Sequence, residues 1–225
     1  MELVRRCLER GDQVIAASRS AARVTALGDL RAKYPSLELL SLDPADAASV
    51  AEAIPVLQNI TSTVDLLLVA PAEAGPHEKS IETERNSQLE SLSATALVEH
   101  YRRHAVAPVL IARTLLPWLA MAEQARILFV STWLDALSDN IRDDYAMCGS
   151  SAGLHALARS LARDLANQKI IVCIGSAATY AAKAGPKPKT IRFGDVADGL
   201  LDVVDQVSLE NSGALVDWNG NEHAS

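Results

Sequence analysis

A chain of 225 residues with net charge -7, 49% hydrophobic and 22% charged, is long enough to bury a substantial core and is not composed like a disordered protein. The acidic balance and the lack of a long basic run exclude a nucleic-acid surface, and no apolar stretch approaches the ~20 residues of a membrane span. The opening segment, residues 1–10, is amphipathic with two glutamates, unlike a signal or transit peptide, so a cytoplasmic location is expected. Cys7, Cys148 and Cys173 are widely separated, without metal or redox spacing, and read as small apolar residues.

In chain order, residues 1–10 predict a helix ended by Gly11 in the usual C-terminal glycine role. A strand over 13–17 leads to a helix from about 21 to 34, then a strand over 37–42. The next helix, 46–57, has its start marked by Asp46 and Ser49. Residues 65–69 are nearly continuously apolar, as in a strand covered on both faces. The acidic stretch 71–93 predicts a long connection with about one helical turn, and 94–121 a long helix broken or ended near Pro117. Strands at 126–131 and 169–175 flank a helix over 147–167. A mobile loop over 177–192, a helix over 195–207 and a last strand at 214–218 complete the chain. This alternation is the mark of βαβ units and a parallel sheet, and no repeat or linker divides residues 1–225 into two domains.

The segment 147–165 carries the most information. Ser150, Ala152, Leu154, Arg159, Ser160, Leu161, Asp164 and Leu165 keep the frame of a Tyr-x-x-x-Lys helix followed by Ala-Ala-Leu and Arg-Ser-Leu-x-x-Asp-Leu. The chain thereby resembles the short-chain dehydrogenase/reductase family. Its ending, residues 211–220, resembles the Ser-Gly-x-x-x-Asp-Tyr-x-Gly close of that family's C-factor-like branch. The resemblance implies a Rossmann-like, doubly wound parallel sheet. It also implies that Met147 stands at the catalytic tyrosine and Ser151 at the lysine. The family's first strand and its glycine-rich, diphosphate-holding turn have no counterpart, because residues 2–15 match the helix and strand that follow them. Strands 13–17 and 65–69 are then expected to lack a shared partner, at about 1–3 kcal/mol for each buried unpaired backbone group. Either Met1 is an internal methionine of a longer reading frame, or the sheet closes up, or another chain supplies the strand.

The same resemblance places the other site positions. Residues 69–72, Val-Ala-Pro-Ala, stand at Asn-Asn-Ala-Gly beside the cofactor; His104 stands at the asparagine of the proton relay, and Thr132 at the catalytic serine. Ser176 and Ala177 replace Pro-Gly, and Ala181 the threonine that meets the nicotinamide amide. Hydride transfer to a carbonyl needs an acid for the developing alkoxide. Methionine has no proton to give, and serine supplies no charge to lower a tyrosine pKa. Tyr145 is two residues, about 200° of helix, from the catalytic position. Arg19 resembles the arginine that meets a 2′-phosphate, and Asp43 the adenine-side aspartate.

His100 and His104, four residues apart, have metal-ligand spacing but no evident third ligand, so no metal is expected. His104, Thr132 and Cys148 would converge near the pocket and could support cofactor-independent chemistry. The helices over 98–118 and 149–167, with Ala156, Leu157, Ser160 and Leu161, imply a homodimer by resemblance. The leading expectation is a degenerate member of the family, without redox activity or cofactor, that binds a small molecule or protein partner. The alternatives are an oxidoreductase using NADP or NAD on a carbonyl or alcohol, and a cofactor-independent enzyme.

Overall fold

The computed structural model of the protein describes residues 1–19, 21, 24–70, 89, 92–131, 145–177 and 192–223; the predicted connection over 71–93 and loop over 177–192 fall largely outside them. Helix α1 (Glu2–Arg10) ends at Gly11, whose left-handed φ of 92° turns the amides of Gly11 and Asp12 back onto the carbonyls of Leu8 and Cys7. Strand β1 (Val14–Ser18), helix α2 (Thr25–Lys33), strand β2 (Leu37–Ser41), helix α3 (Ala47–Ile60) and strand β3 (Leu66–Val69) follow. Asp46 caps α3 by accepting the Ala48 amide at 3.0 Å.

Helix α4 (Ala94–Tyr101) passes through a π-turn (Arg102–Val106) into α5 (Ala107–Thr114). The helix expected over 94–121 does break near Pro117, as expected, and is divided once more by the π-turn. It stops at Thr114 because Pro117 has no amide to offer the carbonyl of residue 113, and a short α6 (Leu116–Leu119) restarts with Pro117 in its first turn. Strand β4 (Arg126–Ser131), helix α7 (Tyr145–Leu165), strand β5 (Ile171–Ser176), helix α8 (Phe193–Gln206) and strands β6 (Leu215–Asp217) and β7 (Glu222–His223) complete the order. Strand β7 was not predicted; two residues, one of them glutamate, carry no strand signal.

Strands β3, β4, β5 and β6 lie side by side and parallel, with β7 antiparallel at the edge; β1 and β2 form a separate parallel pair. One face is covered by α3, α5, α6 and α7, through Leu57, Ile111, Leu119, Leu154 and Ala158 against Ile127, Phe129, Val172 and Ile174. On the other face α8 packs Val196, Leu200 and Val204 on Leu128, Ile171 and Cys173. This is the Rossmann-like, doubly wound α/β arrangement expected. Among the described residues no helix is long and apolar enough to cross a membrane.

Among the described residues no strand lies between β1 and β3. All four residues of β3 are only half-buried, and in β1 Ala16 alone is buried. The two sheets are joined through helices instead. Leu3 of α1, like Leu66 and Leu68 of β3, packs against the cluster under α8, while Val4 and Leu8 of α1 share a cluster with Val14 and Ala16 of β1. Arg6 and Arg10 of α1 pair with Asp198 and Asp205 of α8, each at 3.0 Å.

Helix α8 also sits hard against the end of β6, where a Cβ at Gly199 would run into the carbonyl oxygen of Trp218. At Gly153 a Cβ would meet only the ring of Tyr101, a side chain that is 40% exposed and can move. Gly199→Ala should therefore cost about 1–3 kcal/mol in urea unfolding and Gly153→Ala well under half of that. Equal costs would show that the α8–β6 approach is slack.

Candidate active site

The site is built at the carboxyl ends of β4 and β5. These strands end on Ser131 opposite Ser176, and the amide of Ala177 donates to the Ser131 carbonyl at 2.8 Å. Helix α7 returns antiparallel to them, with Leu165 near the start of β5, so its first turns stand above the carboxyl edge. Along α7 the buried positions include Ser151, Leu154, His155, Ala158 and Ala162, a stripe at helical spacing with two polar members.

His155 lies over the end of β4, its Nε2 3.2 Å from Ser131 Oγ. Burial alone drives its pKa down to about 4, so the ring is neutral at neutral pH. Ser151 is one turn earlier on the same face and 8% exposed. Met147 is another turn earlier and half-buried, whereas Tyr145 is 48% exposed. The structure thus brings Met147, Ser151 and His155 into one line descending to Ser131. Thr132 and Ala181 lie outside the described residues.

His104 approaches from the π-turn. It is half-buried, and its ring stacks on that of His100 with centroids 4.1 Å apart and planes 16° from parallel. His100 Nδ1 is 3.0 Å from Ser150 Oγ, which donates to the Met147 carbonyl at 3.1 Å. Helix α4 is therefore tied to the start of α7 through side-chain hydrogen bonds, and the π-turn joins it through the His100–His104 stack. Among the described residues no group of three or more His, Cys, Asp or Glu side chains is placed to hold a metal ion. Cys7 and Cys173 are buried and Cys148 is half-buried; burial pushes the Cys173 thiol up to about 12, which makes it inert.

Arg19 and Asp43 sit together at the carboxyl edge of the small sheet, where the Leu42 amide donates to the Ser18 carbonyl at 3.0 Å. Arg19 is exposed. Asp43 is engaged within its own turn, where its Oδ1 accepts the Ala45 amide at 2.9 Å and its own amide donates to Ser49 Oγ at 2.9 Å. Arg102, the first residue of the π-turn, donates to the Ala45 carbonyl and so fastens this loop to the helix bearing His104. Beside Arg19, Ser18 Oγ is buried without a hydrogen-bond partner among the described residues.

Two parts of this site have little or no linear signature. The His155–Ser131 contact spans 24 residues, and its only sign in the sequence is a histidine at core spacing between Ala and Leu residues. The orphan state of Ser18 Oγ has no such sign at all.

The geometry can be set beside known proteins. A family model described as Enoyl-(Acyl carrier protein) reductase matches residues 1–200. The chain belongs to that family, within the short-chain dehydrogenases/reductases. It is 26% identical over 120 residues to the C-signal protein of Myxococcus xanthus, covering 53% of this chain and 72% of that protein. Its fold is similar to the NADPH-bound carbonyl reductase from chicken fatty liver, with a TM-score of 0.82 and 21% identity over 100% of this chain and 93% of that one. The carbonyl reductase of Pseudomonas aeruginosa in complex with NADP gives 0.81 and 18% over 100% and 93%. The carbonyl reductase Sniffer of D. melanogaster gives 0.79 and 17% over 100% and 94%. At these identities the structural likeness is one of fold.

The buried imidazole carries a pH signature. Its folded-state pKa is about 4 against an ordinary 6.5, so between these values the unfolded chain holds a proton that the folded chain refuses. Stability is then fully present above pH 6.5 and falls as the pH drops through about 4, by up to about 3 kcal/mol. In His155→Asn, urea midpoints measured from pH 7 to 4 should lose that component of the slope. An unchanged slope would show that the ring is solvated.

Proposed function

We propose that the protein binds an NADP(H)-type nucleotide through the adenosine end of its cleft but does not carry out hydride transfer assisted by a Tyr–Lys pair. The observation that carries this reading is the contrast between the two ends of the cleft. At one end, exposed Arg19 and the orphan Ser18 Oγ suit the 2′-phosphate of NADP, as an arginine at the end of this strand does in dinucleotide-binding folds. Such residues fit the group, so the sequence-based expectation that no cofactor binds is not carried forward. At the other end, α7 presents Met147 and Ser151, which offer neither an acid of suitable pKa nor a positive charge to tune one.

When bound, a nicotinamide donates or accepts hydride; the remaining work in such a reaction falls to the chain. Ser131 and Ser151 can hydrogen-bond an oxygen. Neutral His155, with its depressed pKa, is a poor proton source for an alkoxide near pH 7. Binding without the ordinary turnover follows, as in a sensor or regulatory member of the family. Pairing of two copies through α4–α5 and α7, where Val98, Ala156 and Ser160 are exposed, belongs to the same reading; a monomer by sedimentation would sink that part.

A second reading, NADP- or NAD-dependent reduction of a carbonyl, is favoured by a specific finding: the family match spans residues 1–200, and two of the similar folds hold NADPH or NADP. Taken alone, the comparisons support it more strongly than the first. One titration separates them. NADPH added to the protein should quench intrinsic tryptophan fluorescence saturably, with no oxidation of NADPH on adding simple aldehydes or quinones. Carbonyl-dependent oxidation that survives Met147→Ala would establish the second reading, with an acid other than Tyr, and no binding at all would sink both.

The 2′-phosphate assignment is checked by Arg19→Ala. Loss of a charge-assisted contact should weaken NADPH binding about tenfold or more and leave NADH binding unchanged. Equal loss for both nucleotides would place Arg19 away from the phosphate.

A further inference from the structure

Residues 42–46 leave the small sheet beside Arg19, and their own hydrogen bonds stay in that part of the fold. The Leu42 amide donates to the Ser18 carbonyl, the Asp43 amide to Ser49 Oγ, the Ala45 amide to Asp43 Oδ1 and the Asp46 amide to the Asp43 carbonyl. These bonds fix the shape of the loop. Leu42 and Val50 pack on the main core and locate it coarsely. Arg102, the first residue of the π-turn, adds a directional tie by donating from Nη1 to the Ala45 carbonyl. Its Nε and Nη2 both donate to the Glu99 carboxylate at 2.8 Å, three residues back, so the guanidinium is aimed from α4. Asp43 and Asp46 lie close enough to favour its charge. Helix α4 and the π-turn pack in turn on α7, where His100 is bonded to Ser150. Among the described residues, the Arg102 bond is the one that reaches from this loop to the helices of the larger sheet. Its side chain is 45% exposed, so it adds little to stability, and its value is geometric.

We propose that Arg102 is a positioning residue for a bound dinucleotide: aimed by Glu99, it sets the spacing between the adenosine end of the cleft and the end bordered by α7. The proposal rests on the nucleotide reading given above. A dinucleotide engages both ends at once, so its affinity depends on how far apart they are held. A ligand confined to one end is indifferent to that spacing. Arg102 therefore acts through the loop and not by touching the nucleotide, in contrast to Arg19.

Calorimetric titration separates the two kinds of ligand, with NADPH and NADH spanning the cleft and adenosine 2′,5′-bisphosphate filling one end. Arg102→Met, which keeps the apolar stem and removes the fork, should weaken NADPH and NADH alike by about tenfold and the bisphosphate by less than about twofold. Glu99→Gln should act in the same direction, with the double variant no weaker than Arg102→Met alone. Arg103→Met removes the other cation on Glu99 and should match the wild type. Without any nucleotide, amides of Asp43, Ala45 and Asp46 should exchange hydrogen about threefold faster or more in Arg102→Met. The role is overturned if that exchange is unchanged, if Arg102→Met binds NADPH like the wild type, or if Arg103→Met loses as much. Equal loss of NADPH and the bisphosphate would also overturn it, by making Arg102 a local brace. A wild-type protein that takes no nucleotide sinks the nucleotide reading and this role with it, whereas normal binding by Arg102→Met sinks this role alone.

Discussion

Strands β4 and β5 are held in register over six residue pairs, from Arg126 opposite Ile171 to Ser131 opposite Ser176, and all of β5 is buried. Continuous apolar side chains on both faces permit only a parallel pairing covered by helices on both sides. That pairing dictates where α7 must lie, since a helix joining two adjacent parallel strands packs back over them. The position of Met147, Ser151 and His155 above Ser131 is a consequence of the ladder rather than of local sequence. The guanidinium of Arg126 adds a fastening below, donating to the carbonyls of Val204 at 2.8 Å and Val207 at 2.5 Å, so that the end of α8 is anchored to the start of the same strand.

The two ends of the cleft ride on different sheets. Arg19, Ser18 and Asp43 belong to the β1–β2 pair, and the residues of α7 belong to the larger sheet. Their relative position is kept by packing and by a few polar ties, chiefly Arg102 to the Ala45 carbonyl and the α1–α8 ion pairs. The ion pairs are partly exposed and individually weak. The closing turn after β6 is held by a denser set of hydrogen bonds around Asp217. Burial opposes ionisation of Asp217, but hydrogen bonds from Asn221, His223 and the Asn219 amide outweigh it and hold the carboxyl below its ordinary pKa.

Much of this was legible in the residues, for physical reasons. Apolar runs at 65–69, 126–131 and 169–175 were legible as strands because they are too short for a buried helix and rich in Leu, Ile and Val. Gly11 and Asp46 marked helix ends because each has a conformational or hydrogen-bonding advantage there. The frame of 147–165 was legible through its resemblance to a family motif, and Leu154, Ala158, Ala162 and Leu165 within it are the residues that meet the sheet. Contacts at a distance were not legible. The π-turn at Arg102–Val106 has no compositional mark, and nothing local shows that Asp43 spends its carboxylate on its own turn or that His155 finds Ser131. Such facts depend on which elements become neighbours, and that is decided by the whole core.

The π-turn also records something about phase. A helix that continues through one wide turn carries a residue more than a plain α-helix of the same rise, and each residue is about 100° of rotation. Ala94–Tyr101 is therefore rotated against Ala107–Thr114 relative to a regular helix. Only with that offset does His100 face Ser150 while Ile111 and Ala112 stay in the core. Removing any single residue from 102–106 would leave a sequence just as helical and just as apolar, with one of those two faces turned to the solvent. Register, rather than composition, is what this helix cannot lose.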